Sequence, residues 1–180
     1  MANEDHVMRA GYAVTGWNRW RDEHPDITPD LSGADLSAGR YPGGKLFGAN
    51  LAGTDFRRSN MRGADLHESN LEGADLSKTV LREAVLTGAR LINAELTKAD
   101  MTNANLEGAD LTGARLEKAK LGGANLAGVR MTNAHLQNAD LSTATGVTAQ
   151  AIADGLGDGT TRLPMGVERP ATWPEADEEV

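Results

Sequence analysis

The sequence predicts an all-β, four-sided solenoid, and three observations predict it. From Leu31 to Leu141 every fifth residue is large and apolar, 23 positions without a gap, and 18 of them are Leu. Two residues before almost every centre stands a small residue, Ala in most units, as at Ala34, Ala49, Ala64, Ala84 and Ala104, with Ser, Thr, Gly, Pro29 and Val129 in the remaining cases. Two residues after the centre, 11 of the 23 positions are Gly and four more are Asn. A period of five does not suit a helix, whose apolar face recurs at three and four, or a simple strand, whose faces alternate at two. It suits a chain that turns a corner after every pentapeptide, so that the small residue and the centre both point inward. Four such sides make a coil of 20 residues. The corner chemistry agrees, because Gly and Asn tolerate the positive φ that type II turns demand.

The centres are therefore the core. They include Leu36, Leu51, Phe56, Leu66, Leu71, Leu76, Leu86, Leu96, Leu106, Leu116 and Leu126; the other non-Leu centres are Tyr41, Met61, Met101 and Met131. One coil cannot bury its own leucines, whereas stacked coils give four inner columns, each buried Leu contributing about 1.5–3 kcal/mol before ordering entropy is subtracted. With strands roughly 4.8 Å apart, nearly six coils make a rod roughly 27 Å long. The register never slips, so no loop interrupts the stack.

The unit A(D/N)LxG, in runs such as SGADLSAG, SNLEGADLSK and TNANLEGADLTGARL, resembles the pentapeptide-repeat family over residues 29–145. The resemblance implies a right-handed quadrilateral β-helix. It also implies two functional classes: members with no assigned activity, and members that mimic B-DNA and protect or inhibit DNA gyrase and topoisomerase, giving quinolone resistance. The latter often have Phe at the centre and a strongly acidic surface. Here only Phe56 is Phe, and residues 30–145 carry 14 acids against 13 bases.

An open-ended solenoid exposes core and unpaired backbone, so both ends need caps. Residues 1–28 read as an N-terminal capping helix and lead-in. Val7, Ala10, Val14 and Trp17 recur at three and four, Trp20 follows, and one amphipathic helix over residues 4–21 would lay Val14, Trp17 and Trp20 on the first coil. The segment GWNRWRDEHPDITPDLSGADL is also similar to the lead-in of some bacterial members. Residues 146–180 read as a C-terminal cap and acidic tail. Thr148 is placed to cap a turn over AQAIAD closed by Gly155. Leu163, Met165 and Trp173 are expected to pack on the last coil. TRLP followed by RPATW resembles a tail of bacterial members, and the final EADEEV is expected to be a disordered, solubilising tail.

The formal net charge of -8 is mostly C-terminal: residues 146–180 net -5, residues 30–145 only -1. There is no Cys, which excludes disulfides and thiolate metal sites. The acidic start MANEDHVMRAGYAV argues against a secretory signal, no apolar run matches a membrane span, and a cytoplasmic protein is expected. His6, His24, His67 and His135 form no ligand pair and read as exposed polar residues. There is no nucleotide loop, no GxSxG and no EF-hand, so no cofactor, metal or catalytic residue is expected. The Asp or Asn before each centre is expected to be solvated or bonded to the turn backbone.

Residues 20 apart stack in one column, which maps the faces. Beside Leu36, Phe56, Leu76, Leu96 and Leu116 an acidic ladder, Asp35, Asp55, Asp75 and Glu95, lies next to a basic one, Arg58, Lys78, Lys98 and Lys118. The two ladders are expected to neutralise each other, or else to form a binding strip for a charged partner. The side of Leu46, Leu66, Leu86, Leu106 and Leu126 carries Phe47, Asp65, Glu68, Val85 and Glu107, and reads as the protein-contact face. The expected function is a non-catalytic scaffold or protein-protein interaction module, with a gyrase-directed DNA mimic as the alternative. The expected partner is another protein. No basic-aromatic patch supports direct nucleic-acid binding. A monomer or a homodimer through the Trp173 cap is expected.

Overall fold

The computed structural model describes residues 2–175. Nearly all of the predicted tail EADEEV therefore lies outside the described residues. From Asp30 onward the chain forms parallel bridges between residues 20 apart: Asp30 with Asn50, Asp35 with Asp55, Arg40 with Asn60, Lys45 with Asp65, and so on to Asn125 with Thr145. Four bridge columns per 20-residue coil define a four-sided solenoid.

Four of the five backbone donors of a pentapeptide are satisfied by backbone in a repeating way, and the fifth is satisfied wherever Asp or Asn precedes the centre. The centre donates to the coil above, as Leu36 N–H to Asp55 O at 2.8 Å, and so does the corner residue, as Ala38 N–H to Arg57 O at 2.8 Å. The residue before the centre donates to the coil below, as Asp55 N–H to Ala34 O at 2.9 Å. The small residue closes a turn, as Ala64 N–H to Met61 O at 3.0 Å. The fifth donor, just after the centre, points away from the ladder and needs a side chain. Every Asp or Asn that precedes a centre supplies it: Asp35 Oδ1 accepts from Ser37 N–H at 3.0 Å, Asp75 from Ser77 at 2.9 Å, Asn105 from Glu107 at 3.1 Å and Asp140 from Ser142 at 3.0 Å. These residues thus cap turns, which explains why acids and amides recur where no chemistry does.

The corner residue is left-handed at every unit from Gly33 to Asn138, eleven times in glycine and eleven times in other residues. Such a φ costs a residue with a Cβ roughly 1–2 kcal/mol. Gly146, also left-handed, has a second reason to be glycine, since a Cβ there would stand 2.5 Å from the backbone N of Ala127.

The interior is a dry column. The centres from Leu51 through Leu126 are 0% exposed, and Leu36 is 4% exposed. Three of the polar inward residues bond the backbone, Thr54 to Leu31 O at 2.9 Å, Ser69 to Leu66 O at 2.7 Å and Thr79 to Phe56 O at 2.7 Å, whereas the buried Ser59 hydroxyl has no partner among the described residues. Gly39 is small for a particular reason: a Cβ would lie 2.1 Å from the Tyr41 hydroxyl, which donates to Leu36 O at 3.2 Å.

Both ends are closed. In place of the one N-terminal helix expected, two form: α1, Glu4–Tyr12, capped by the Asn3 side chain, and α2, Val14–Glu23. Ala13 is extended between them (φ -160, ψ 136). The break lets each helix turn its own short apolar face onto the coil, which a single straight rod could not do. At the other end Thr148 Oγ1 caps α3, Ala149–Asp154, by accepting from Ala151 N–H. Gly155 closes it with φ -88, so its glycine serves close approach: a Cβ would meet Leu136 Cδ1 at 2.9 Å. The ladder continues past residue 145, with His135 bridged to Leu156 and Asp140 to Arg162. The C-terminal cap is thus partly a further coil, its spacing stretched by α3.

Candidate functional site

The N-terminal cap works by pairing the open edge of the first coil. Trp17 Nε1 donates to Lys45 O at 2.9 Å, Asn18 donates to Gly43 O at 2.8 Å and accepts from Lys45 N–H at 2.8 Å, and Asn3 N–H donates to Asp30 O at 3.0 Å. His6 is buried, not exposed as the sequence reading held; its Nδ1 accepts from Asp30 N–H at 3.1 Å and its ring lies against Trp20. Trp20 in turn stacks on His24. Val14 is half-buried beside them, and the space between this cap and the first coil is about 10 Å³, at most the room of one water.

Sequence reasoning missed Arg21. It is buried, donates to Ile27 O at 2.7 Å and Phe47 O at 3.1 Å, and lies 4.2 Å from the centre of the Phe47 ring. Burial holds its guanidinium below the usual arginine range. The signal was its place one turn beyond Trp17 on the same helical stripe. Phe47 is consequently not a free contact residue: it is half-buried between Arg21 and the stacked ring of His67, 5.2 Å away. Asp65 is engaged too, its carboxylate holding both His67 Nδ1 at 2.6 Å and His67 N–H. On that side Glu68, Val85 and Glu107 remain exposed, Val85 by 37%.

At the far end Trp173 is buried, its Nε1 donating to Gly155 O at 3.0 Å and its ring lying where a Cβ on Gly157 would be. Its indole is spent on packing within the chain. Leu163 packs against the core, but Met165 stands fully exposed, because the turn at Gly166 (φ +83) carries it outward.

The paired ladders also differ from expectation. The acidic one is compensated by Arg57, which reaches Asp55 and Asp75, and by Arg115, which reaches Glu95 and Glu117. The Arg57 side chain beside it holds Asp55 below the usual carboxylate range. The basic ladder is left over: Arg58, Lys78, Lys98 and Lys118 are exposed and enter no ion pair among the described residues. An open recess of about 410 Å³ lined by Ser37, Ala38, Arg57, Arg58, Ser77 and Lys78 begins this strip. Among the described residues no group of three or more acids and histidines is disposed to hold a metal ion, and no helix is long and apolar enough to cross a membrane.

A filled rod with polar side chains spent on its own turns defines a β-solenoid repeat protein. The pentapeptide-repeat profile matches eight copies, over residues 45–82, 80–117 and 109–145, and the chain belongs to that family. It is similar in structure to HetL, a pentapeptide repeat protein involved in heterocyst differentiation regulation from the cyanobacterium Nostoc sp. strain PCC 7120. Identity is 31% and TM-score 0.50, over 71% of this chain and 65% of HetL, so the match spans just under two thirds of HetL's length. Rfr23 from the cyanobacterium Cyanothece 51142 is 23% identical with TM-score 0.57, over 84% of this chain and 99% of that one, a likeness of fold. QnrB1, a plasmid-mediated fluoroquinolone resistance protein, matches at 20% identity and TM-score 0.35, over 78% of this chain and 81% of its own. No curated protein sequence matches the chain significantly.

Proposed function

We propose that this protein is a non-catalytic scaffold for protein-protein contacts, built on a right-handed quadrilateral β-helix. One observation carries the reading: the repeated Asp and Asn residues, the densest array of groups that could do chemistry, are consumed by the fold. The Asp and Asn before the centres cap turn N–H groups, as Asp100 does for Thr102 at 3.2 Å, while the inner columns are filled. Acid-base or nucleophilic work needs several groups converging on a concave, water-poor site. The rod offers instead long, rigid, flat sides with fixed spacing, which suits recognition. HetL's part in regulating differentiation is in keeping with this role.

The DNA-mimic alternative has less support. A mimic of a polyanion needs continuous negative charge, and one corner here carries Arg58, Lys78, Lys98 and Lys118 in a row. The test is quantitative affinity capture with the folded chain and with surface variants on two sides, Glu68→Lys with Glu107→Lys, and Lys78→Glu with Lys98→Glu. Circular dichroism must show each variant folded. A partner retained by the chain and lost with one pair supports a scaffold that works through that side. Turnover of a substrate by the purified chain, abolished by a single substitution of an exposed side chain, would overturn it.

A further inference from the structure

The strip left over from charge pairing is unusual in where it stands. Its four cations occupy left-handed corner positions, with φ of 60° at Arg58, 59° at Lys78, 61° at Lys98 and 63° at Lys118. On the other three corner columns the left-handed residues are Gly or Asn, with only Glu68 and Glu83 departing. A side chain with a Cβ is strained there, and glycine would fit without cost to the turn. One corner therefore accepts strain in four successive coils, and each time the residue is basic. Stability does not account for this, since like charges one strand apart repel and none of the four finds a carboxylate among the described residues. The acids that could have served, Asp55, Asp75 and Glu95, are held by Arg57 and Arg115.

We propose that this corner docks an acidic helix of a partner protein, with Asp or Glu recurring at i, i+3/i+4 and i+7 along one stripe. The inference rests on the scaffold reading and names the partner's chemistry. The spacing selects the helix. The bridges Asp55–Asp75–Glu95–Arg115 stack the four cations on successive coils, so they stand roughly 4.8 Å apart and span about 14 Å. A helix repeats its stripe every ~5.4 Å, about 16 Å over three turns, a difference flexible lysines absorb. An extended strand repeats a face every ~6.8 Å, about 20 Å over the same count, and falls out of register. Single-stranded nucleic acid would want aromatic platforms between the cations; the recess is lined by Ser37, Ala38 and Ser77.

The test uses the full chain and a fluorescent alanine-based peptide of about 20 residues, with glutamates in one helical stripe. A second peptide of identical composition has them scattered. Binding is followed by anisotropy at low salt, where exposed charges are least screened. The chain should prefer the striped peptide. Lys78→Gly with Lys98→Gly should weaken it about fivefold or more while leaving the melting temperature unchanged or higher, because glycine relieves the corners. Arg40→Gln with Lys120→Gln, equal in charge removed, should change it less than about twofold. Equal weakening by both pairs, equal affinity for the scattered peptide, or tighter binding of a single-stranded oligonucleotide would each overturn the proposal. A native partner whose capture ignores the glycine pair would also overturn it, yet leave the scaffold reading intact.

Discussion

Replacing Leu96 by Ala tests the dry column directly. Leu96 is 0% exposed and sits between Leu76 and Leu116 in its own column, with Ala94 and Ala99 beside it along the chain, both also 0% exposed. The substitution removes buried methyl and methylene groups and leaves a cavity whose collapse sets the cost, roughly 2–5 kcal/mol. Collapse is difficult here. The flanking Ala94 and Ala99 have no rotamers to move inward, and the backbone is held by Leu96 N–H to Arg115 O at 2.7 Å and Leu76 N–H to Glu95 O at 2.7 Å. The expected loss is therefore in the upper part of that range, about 3–5 kcal/mol. Urea unfolding followed by circular dichroism reads it as a lower midpoint with an unchanged slope. Val85→Ala, at a side chain 37% exposed, is the matched control and should cost under about 1 kcal/mol. A loss below about 1 kcal/mol for Leu96→Ala would refute the close-packed interior.

Gly146→Ala should destabilise more than Gly63→Ala, by about 1 kcal/mol or more, since both are left-handed but only the first meets backbone, Ala127 N at 2.5 Å; differential scanning calorimetry ranks them. Stability should fall below about pH 4. The Ser37 hydroxyl lowers Asp35 and the Ser142 hydroxyl lowers Asp140; burial alone would raise Asp100, but Thr102 and nearby Arg82 and Lys120 outweigh it. A depressed carboxylate stabilises above its unfolded value and loses that contribution as pH falls through its folded one, so Ser142→Ala and Thr102→Ala should flatten the acid limb of a melting-temperature profile. Trp17→Ala should cost about 3–5 kcal/mol and promote end-to-end association by uncovering the first coil, visible in light scattering. In a gyrase supercoiling assay the folded chain should neither inhibit the enzyme nor rescue it from a fluoroquinolone; inhibition at low micromolar protein would revive the DNA-mimic alternative.

The repeat body was legible residue by residue because its period is local: a small residue, a polar one, a Leu and a corner Gly define one side, and identical sides leave a single way to stack. For the Asp and Asn residues before the centres the period left two outcomes, solvation or a bond to the turn, and the structure takes the second. What lay outside the period could be read only in part. The kink at Ala13, the burial of His6 and Arg21, and the cover they place over Phe47 depend on which backbone groups the first coil leaves unpaired, and those are known only once the coil exists in space. The pairing of the ladders was likewise undecided by sequence. Column positions say which charges stack, but a long side chain such as Arg57 reaches across rungs, and only its rotamer decides that Asp55 and Asp75 are neutralised while Lys78 and Lys98 are left to solvent.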